Sequence, residues 1–258
     1  MNHHFGNVGD VLKHLVLMQI AGATQPPRYL ETHAGCFHYT LEDRPGPIPG
    51  GVWDFLKSTP AHEVLAKSSY GNLLGNIAGT SNRPGIYPGS MRCVWEACGT
   101  RCEYVASDVD PFARESLRSE LSQRKARFRI EDLDGVDMVL DSAKRGDLVL
   151  IDPFTTSHLS PKHGASADQA FASLIGRGAA VVMWRPFRQP AQVTIPSGAS
   201  TQIRVDLLVP TGSMDGFEIV VGNIPDAAVD RAVLLATAYG AVLEAEGIAT
   251  VGVTRNLA

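Results

Sequence analysis

Cysteine is scarce in this chain and badly spaced for a metal. Cys36, Cys93, Cys98 and Cys102 are the four present in 258 residues, and none form the Cys-x-x-Cys pairs of a structural zinc site. They read as reduced packing thiols, and no metal is expected. An excess of positive charge is also missing. The 23 Lys and Arg are outnumbered by 27 Asp and Glu, giving a net charge of −4, whereas proteins that grip RNA phosphates concentrate cations to release counterions. This weighs against an RNA partner. No run approaches the ~18 apolar residues that span a bilayer, and the chain does not open on a basic stretch followed by an apolar one. No membrane partner and a cytoplasmic location are expected. Repeats and biased segments are absent apart from the Pro/Gly-rich 44–51, and nothing in the sequence fixes an oligomeric state.

What the chain does hold is apolar side chains, 44% of its residues, enough for one large domain or one carrying an insertion. Clusters rich in β-branched residues alternate with stretches that are apolar at i, i+3 and i+4. The pattern predicts a helix over about 10–22, stopped before Pro26-Pro27 because proline cannot continue the ladder. Strands are predicted at 28–32, 103–107, 126–130, 147–151 and 179–184, with helices between. Two more, 201–209 and 216–221, are joined by a short loop suited to a hairpin. The fold class is therefore α/β, a doubly wound, Rossmann-like sheet with one antiparallel strand. About 70 residues separate the first two strands, too many for one crossover helix. The surplus, 41–86, reads as an inserted small helical subdomain, leaving 1–40 and 87–258 as the main domain.

Short motifs punctuate this frame: Gly6-Asn7 with Asp10 to His14, Thr32-His33-Ala34-Gly35, Tyr87-Pro88-Gly89-Ser90, Ser107-Asp108, Asp134-Gly135 and Ile151-Asp152-Pro153-Phe154. Four of them lie where a strand ends, the place where open α/β sheets hold ligands. Gly35 lets the backbone approach a nucleotide beside a helix N-terminus. Asp108 is placed to accept ribose hydroxyls, or equally to cap the helix starting near Pro111. Asp134-Gly135 alone is a turn, and Ser90 alone is a cap. Lys13 and His14, with His3 and His4, gather donors that suit an anionic group such as a carboxylate. Asp152 can do chemistry: a carboxylate and a backbone carbonyl that accept both hydrogens of an aromatic amino group localise its lone pair for attack. The catalytic role is favoured over that of a structural strand-end carboxylate, which is the alternative. The basic run Arg124, Lys125, Arg127 and Arg129, with Arg114 and Arg118 before it, reads as a solvated turn.

In this order the motifs resemble the RlmJ-type family of bacterial 23S ribosomal RNA adenine-N6 methyltransferases, from residue 2 to about 235. The resemblance implies the seven-stranded class I methyltransferase sheet, with S-adenosyl-L-methionine as cofactor. It implies cofactor-binding roles for Lys13, His14, His33, Gly35, Ser90, Asp108, Asp134 and Pro153, with Lys13 at the methionine carboxylate, Ser90 at the methionine end and Asp134 at the adenine. Asp152 becomes the catalytic residue. The chain departs from the family at several places. Phe37 stands where a second glycine is usual, which predicts a bulkier pocket wall. Asp-Pro-Pro-Tyr becomes Asp152-Pro153-Phe154-Thr155, so base stacking falls to Phe154. Arg185 replaces a tyrosine in Met183-Trp184-Arg185-Pro186, and Gly222-Asn223-Ile224-Pro225 matches Asn-Pro-Pro. An aromatic residue that covers the family's site from a longer N-terminus has no counterpart, and His3 or His4 is expected to substitute.

The expected catalytic set is thus Asp152, Phe154 and His4. Phe37 and Arg185 are expected on the substrate side, where the fixed charge of Arg185 suits a carboxylate-bearing ligand. The reading that results is an S-adenosylmethionine-dependent transferase acting on a small-molecule substrate rather than RNA. The acceptor is either a separate amine or carboxylate compound, or the cofactor's own aminobutyrate arm, cyclised with release of methylthioadenosine. Two alternatives stay open: adenine-N6 methylation of 23S ribosomal RNA, with Phe154 stacking and the 124–129 run touching phosphate, and a non-catalytic binder that keeps the fold alone.

Overall fold

Parallel strands joined by helices organise the computed structural model, which describes residues 5–41, 48–79, 85–153, 157–188, 195–211 and 214–255. The chain opens with α1 (Val8–Thr24), β1 (Arg28–Glu31) and β2 (His38–Thr40). Helices α2 (Val52–Ser58), α3 (Glu63–Ala66) and α4 (Ser69–Ala78) lead to β3 (Ile86–Pro88). Then follow α5 (Ser90–Cys98), β4 (Glu103–Ser107), α6 (Pro111–Gln123), β5 (Arg127–Glu131), α7 (Gly135–Ser142), β6 (Leu148–Ile151), α8 (Ala167–Gly176) and β7 (Ala180–Phe187). The last elements are β8 (Thr201–Thr211), β9 (Met214–Gly222), α9 (Asp226–Ala245) and β10 (Ala249–Arg255).

Among the described residues eight strands form the main sheet, in the order β10-β8-β9-β7-β6-β1-β4-β5. Pairing is parallel from β5 through β7, and antiparallel from β7 through β9 and β8 to β10. Seven of these strands have the class I methyltransferase order, and β10 adds an eighth along β8. Two strands are therefore reversed relative to the parallel set, β9 and β10, where one was expected. The β-branched run Thr250, Val251, Val253 and Thr254 is the sequence signal for the additional strand. A short antiparallel pair, β2 with β3, is also new, because three-residue strands carry no periodicity to read.

Successive side chains of β1 go to opposite faces, Tyr29 into one apolar cluster and Leu30 into the other. On the first face α1 is buried nearly all round, as expected of a helix that is apolar on most sides. It packs against α4, α5 and α9. Its start is earlier than periodicity predicts because the Asn7 side chain accepts the Asp10 N–H at 3.1 Å and caps it. Phe55, Leu65, Tyr70 and Leu74, from the 52–78 helices, belong to this same cluster. The other face is covered by α7 and α8 through Val136, Val139, Phe171 and Leu174. Among the described residues no helix is long and apolar enough to cross a membrane.

Strand order reverses between β1 and β6, the switch point where such sheets bind ligands beyond the strands' C-terminal ends. One close approach fixes the geometry there. A Cβ on Gly135 would overlap the carbonyl oxygen of Thr32, so only glycine lets the start of α7 press on the turn after β1.

Candidate active site

The strand ends at the switch point converge on Lys13. Its ammonium lies 2.6 Å from Asp152 Oδ2 and 3.0 Å from Asp10 Oδ1. Burial alone would lower the Lys13 pKa, but the two carboxylates outweigh it and hold the lysine charged, above its ordinary range. Thr32 ties β1 to β6: its hydroxyl accepts the Asp152 N–H at 3.1 Å and lies 2.8 Å from His33 Nδ1. His33 sits among Asp152, Asp108 and Asp134, and burial nevertheless keeps its pKa below the ordinary value.

Beneath this layer lies Glu31, fully buried. Tyr29 donates to its Oε2 at 3.0 Å, and the Ser90 hydroxyl donates to Oε1. Burial pushes the carboxyl up to about 8, despite both donors. Ser90 therefore does not cap α5; the N-cap position is Gly89, and the Ser90 side chain turns inward to the acid. His14 is no cationic donor either. Burial first, and the Lys13 charge second, lower it to about 3, and its Nδ1 meets the Tyr87 hydroxyl at 2.9 Å. It is a neutral core histidine.

These two buried groups set opposite slopes of stability with pH. Folded Glu31 keeps its proton up to about 8 while the unfolded carboxyl loses it near 4.5. Between those values the native state binds more protons, so stability falls as pH rises. Folded His14 stays neutral down to about 3 while the unfolded ring charges near 6.5. Between those values the unfolded state binds more protons, and stability falls as pH drops. Each slope is about 1.4 kcal/mol per pH unit, and they cancel between 4.5 and 6.5. The expected result is a plateau there in the urea midpoint, with Glu31→Gln removing the alkaline arm and His14→Asn the acidic one. Identical pH profiles for wild type and both variants would refute the assignment.

On the other side of the switch point Asp108 Oδ2 accepts the Gly35 N–H at 2.8 Å and Oδ1 accepts Asp110 N–H at 2.8 Å. The cap of α6 is Asp110, not Asp108. Asp134 does cap α7, accepting Asp137 N–H at 3.0 Å, while its other oxygen lies 2.6 Å from His158 Nε2. His33, Gly35, Asp108, Asp134, Asp152 and Pro153 fall on strand ends and turns, while Lys13 reaches Asp152 from α1 and Ser90 reaches Glu31 from α5.

Two expected substrate residues do not join them. Phe37 is fully buried, between the guanidinium groups of Arg92 and Arg124 with ring-centre distances of 5.5 and 4.6 Å, so it forms no pocket wall. Arg185 is 4% exposed and clasped by Glu218 at 2.8 Å and Asp168 at 3.0 Å. Its charge is spent inside the protein and is not offered to a ligand. His3, His4, Phe154 and Thr155 lie outside the described residues. Sequence reading passed over Glu31 and Tyr29 and named Asp10 and Thr32 only within motifs, although an acid ending an apolar strand is a legible signal at Glu31.

The whole-chain shape has a solved counterpart. A protein of Legionella pneumophila str. Philadelphia 1 superposes with a TM-score of 0.78 over 98% of this chain and 99% of that one, at 20% identity. This establishes the fold alone. In sequence, the chain is 30% identical over 164 residues to Ribosomal RNA large subunit methyltransferase J of Escherichia coli (strain K12). The resemblance to the RlmJ-type methyltransferases stands. The match takes in 58% of this chain and 56% of the relative, so the chain spans just over half the length of the curated relative it matches. No family model matches the chain. This relative overturns the expectation of a small-molecule partner: the likeness is to a protein named for a ribosomal RNA substrate, and the cation that had pointed to a carboxylate ligand, Arg185, is internally paired.

Proposed function

We propose that this chain is an S-adenosylmethionine-dependent methyltransferase that modifies an adenine amino group of large-subunit ribosomal RNA. The observation that carries the reading is Asp152, held at the end of β6 by Lys13 and Thr32 at the sheet's switch point. The likeness to the Escherichia coli enzyme supports both the reaction type and the substrate class. The residues present fit the cofactor. Gly35 takes a left-handed turn directly after β1, and acids stand after β4 and β5 for ribose and adenine. Two carboxylates, Asp10 and Asp152, face the single ammonium of Lys13, an acidic setting that suits a sulfonium.

When bound, the cofactor supplies an electrophilic methyl group. The protein's part is to orient the base and raise the electron density on its amino nitrogen. Asp152 and a backbone carbonyl of the 152–153 turn accept the two amino hydrogens, which turns the lone pair out of conjugation and toward the methyl carbon. Lys13 orients the carboxylate, and Phe154 is assigned to stack on the base. We keep 41–86 as an inserted helical unit within a main domain of 1–40 and 87–258, and a ribosomal substrate implies a cytoplasmic site of action.

Incubation with S-adenosylmethionine and a 23S ribosomal RNA fragment is expected to yield S-adenosylhomocysteine and, after nuclease digestion, N6-methyladenosine by mass spectrometry. Methylthioadenosine formed without RNA, or no turnover with any fragment, would refute the proposal.

A further inference from the structure

We infer that the open edge of β5 and the flank of α6 beside it form a phosphate track, along which an RNA backbone runs to the rim of the site. This rests on the ribosomal RNA reading and adds where the substrate is held away from its reacting base. The chain's net charge of −4 gives no general attraction for RNA, so any grip must come from a local concentration of cations.

That concentration exists on one side of the molecule. Among the described residues β5 is the terminal strand of the sheet, with no strand beyond it. Arg127 and Arg129 are two apart on β5, hence on one face, and both are exposed. Lys125, exposed in the turn just before, has a left-handed backbone, φ 54°. Arg127 donates to the carbonyl of Arg101 at 3.2 Å, which brings a fourth exposed cation alongside. Among the described residues no carboxylate lies within ion-pair distance of Arg101, Lys125 or Arg127. Further up, Arg118 of α6 donates to the carbonyl of Ile130 at 2.9 Å. Arg114 donates to the carbonyl of Asp108 at 2.8 Å, at the rim itself.

The line therefore leads from the unpaired cations Arg101, Lys125 and Arg127, through Arg129 and Arg114, which pair with Glu131 at 3.2 Å and Asp132 at 2.9 Å, to the two acids assigned to ribose and adenine. From Arg127 to Glu131 the strand covers roughly 13 Å, room for about two or three phosphates. Charged side chains on an edge strand also keep it from pairing with other strands. That role alone would need no run of unpaired cations extending through Lys125 and Arg101 off the strand.

The test is the triple variant Lys125→Asn, Arg127→Ser and Arg129→Ser, with asparagine chosen because it tolerates the left-handed backbone. Binding of a 23S ribosomal RNA fragment is measured against KCl concentration. The slope of log Kd with log salt is expected to fall by about 2, and KM for RNA at 0.1 M salt to rise by about tenfold or more. Both kcat at saturating RNA and cofactor affinity by calorimetry should stay as in wild type. Arg127→Glu alone, on the exposed edge, gives the same readout should the triple variant fold poorly. An unchanged slope and KM in a variant of a wild type that methylates RNA overturns the track alone. A wild type that neither binds nor methylates the fragment overturns the ribosomal RNA reading and the track with it.

Discussion

Asp152→Asn is expected to reduce kcat by about 10³-fold while leaving cofactor affinity within a few-fold of wild type. The loss is large because of the neighbour. Lys13 lies 2.6 Å from Asp152 Oδ2 and donates to it. An asparagine in this place turns its carbonyl oxygen to the ammonium and its NH2 outward, so a donor replaces the acceptor that the substrate's amino group needs. Shape is conserved, and Lys13 keeps Asp10 at 3.0 Å, so the fold should survive. Single-turnover transfer of a labelled methyl group, with calorimetry of the cofactor on the same sample, separates the two effects. A variant that kept wild-type turnover would end the catalytic role of Asp152.

Lys13→Met should act on stability instead. It leaves Asp10 and Asp152 in a poorly solvated site with their shared cation gone, and breaking a buried pair from one side costs about 3–5 kcal/mol. For a chain of this size that lowers the melting temperature by roughly 10 °C. The double variant Lys13→Met with Asp152→Asn should regain part of the loss, since one stranded charge is then removed. Thermal unfolding followed by circular dichroism decides: a melting temperature within 2 °C of wild type for Lys13→Met would mean that the ion pair carries no structural weight.

Strand positions were legible because each parallel strand is a short β-branched run between helical stretches, and the acids after β4, β5 and β6 mark the strand ends directly. Other features depend on partners distant in sequence. Arg185 read as a free charge because Asp168 and Glu218 stand 17 and 33 residues away, and only the packing of α8 and β9 brings them to it. Phe37 read as a pocket wall because the direction of one side chain leaving a turn follows from what it packs on, here Arg92 and Arg124. His14 read as a donor because nothing local reports that α1 is enclosed on most sides.

The enclosure of α1 also bears on the order in which the chain can fold. The first helix finds part of its cover in α9, which lies more than 200 residues later. Tyr239 of α9 donates to the carbonyl of Gly50 at 2.9 Å, and Leu243, Ile248 and Val8 meet over that same glycine. Loop-closure entropy must therefore be met before these contacts form. During synthesis the first face of the sheet keeps exposed apolar surface until α9 has left the ribosome, so α1, made well before α9, waits for it to be covered.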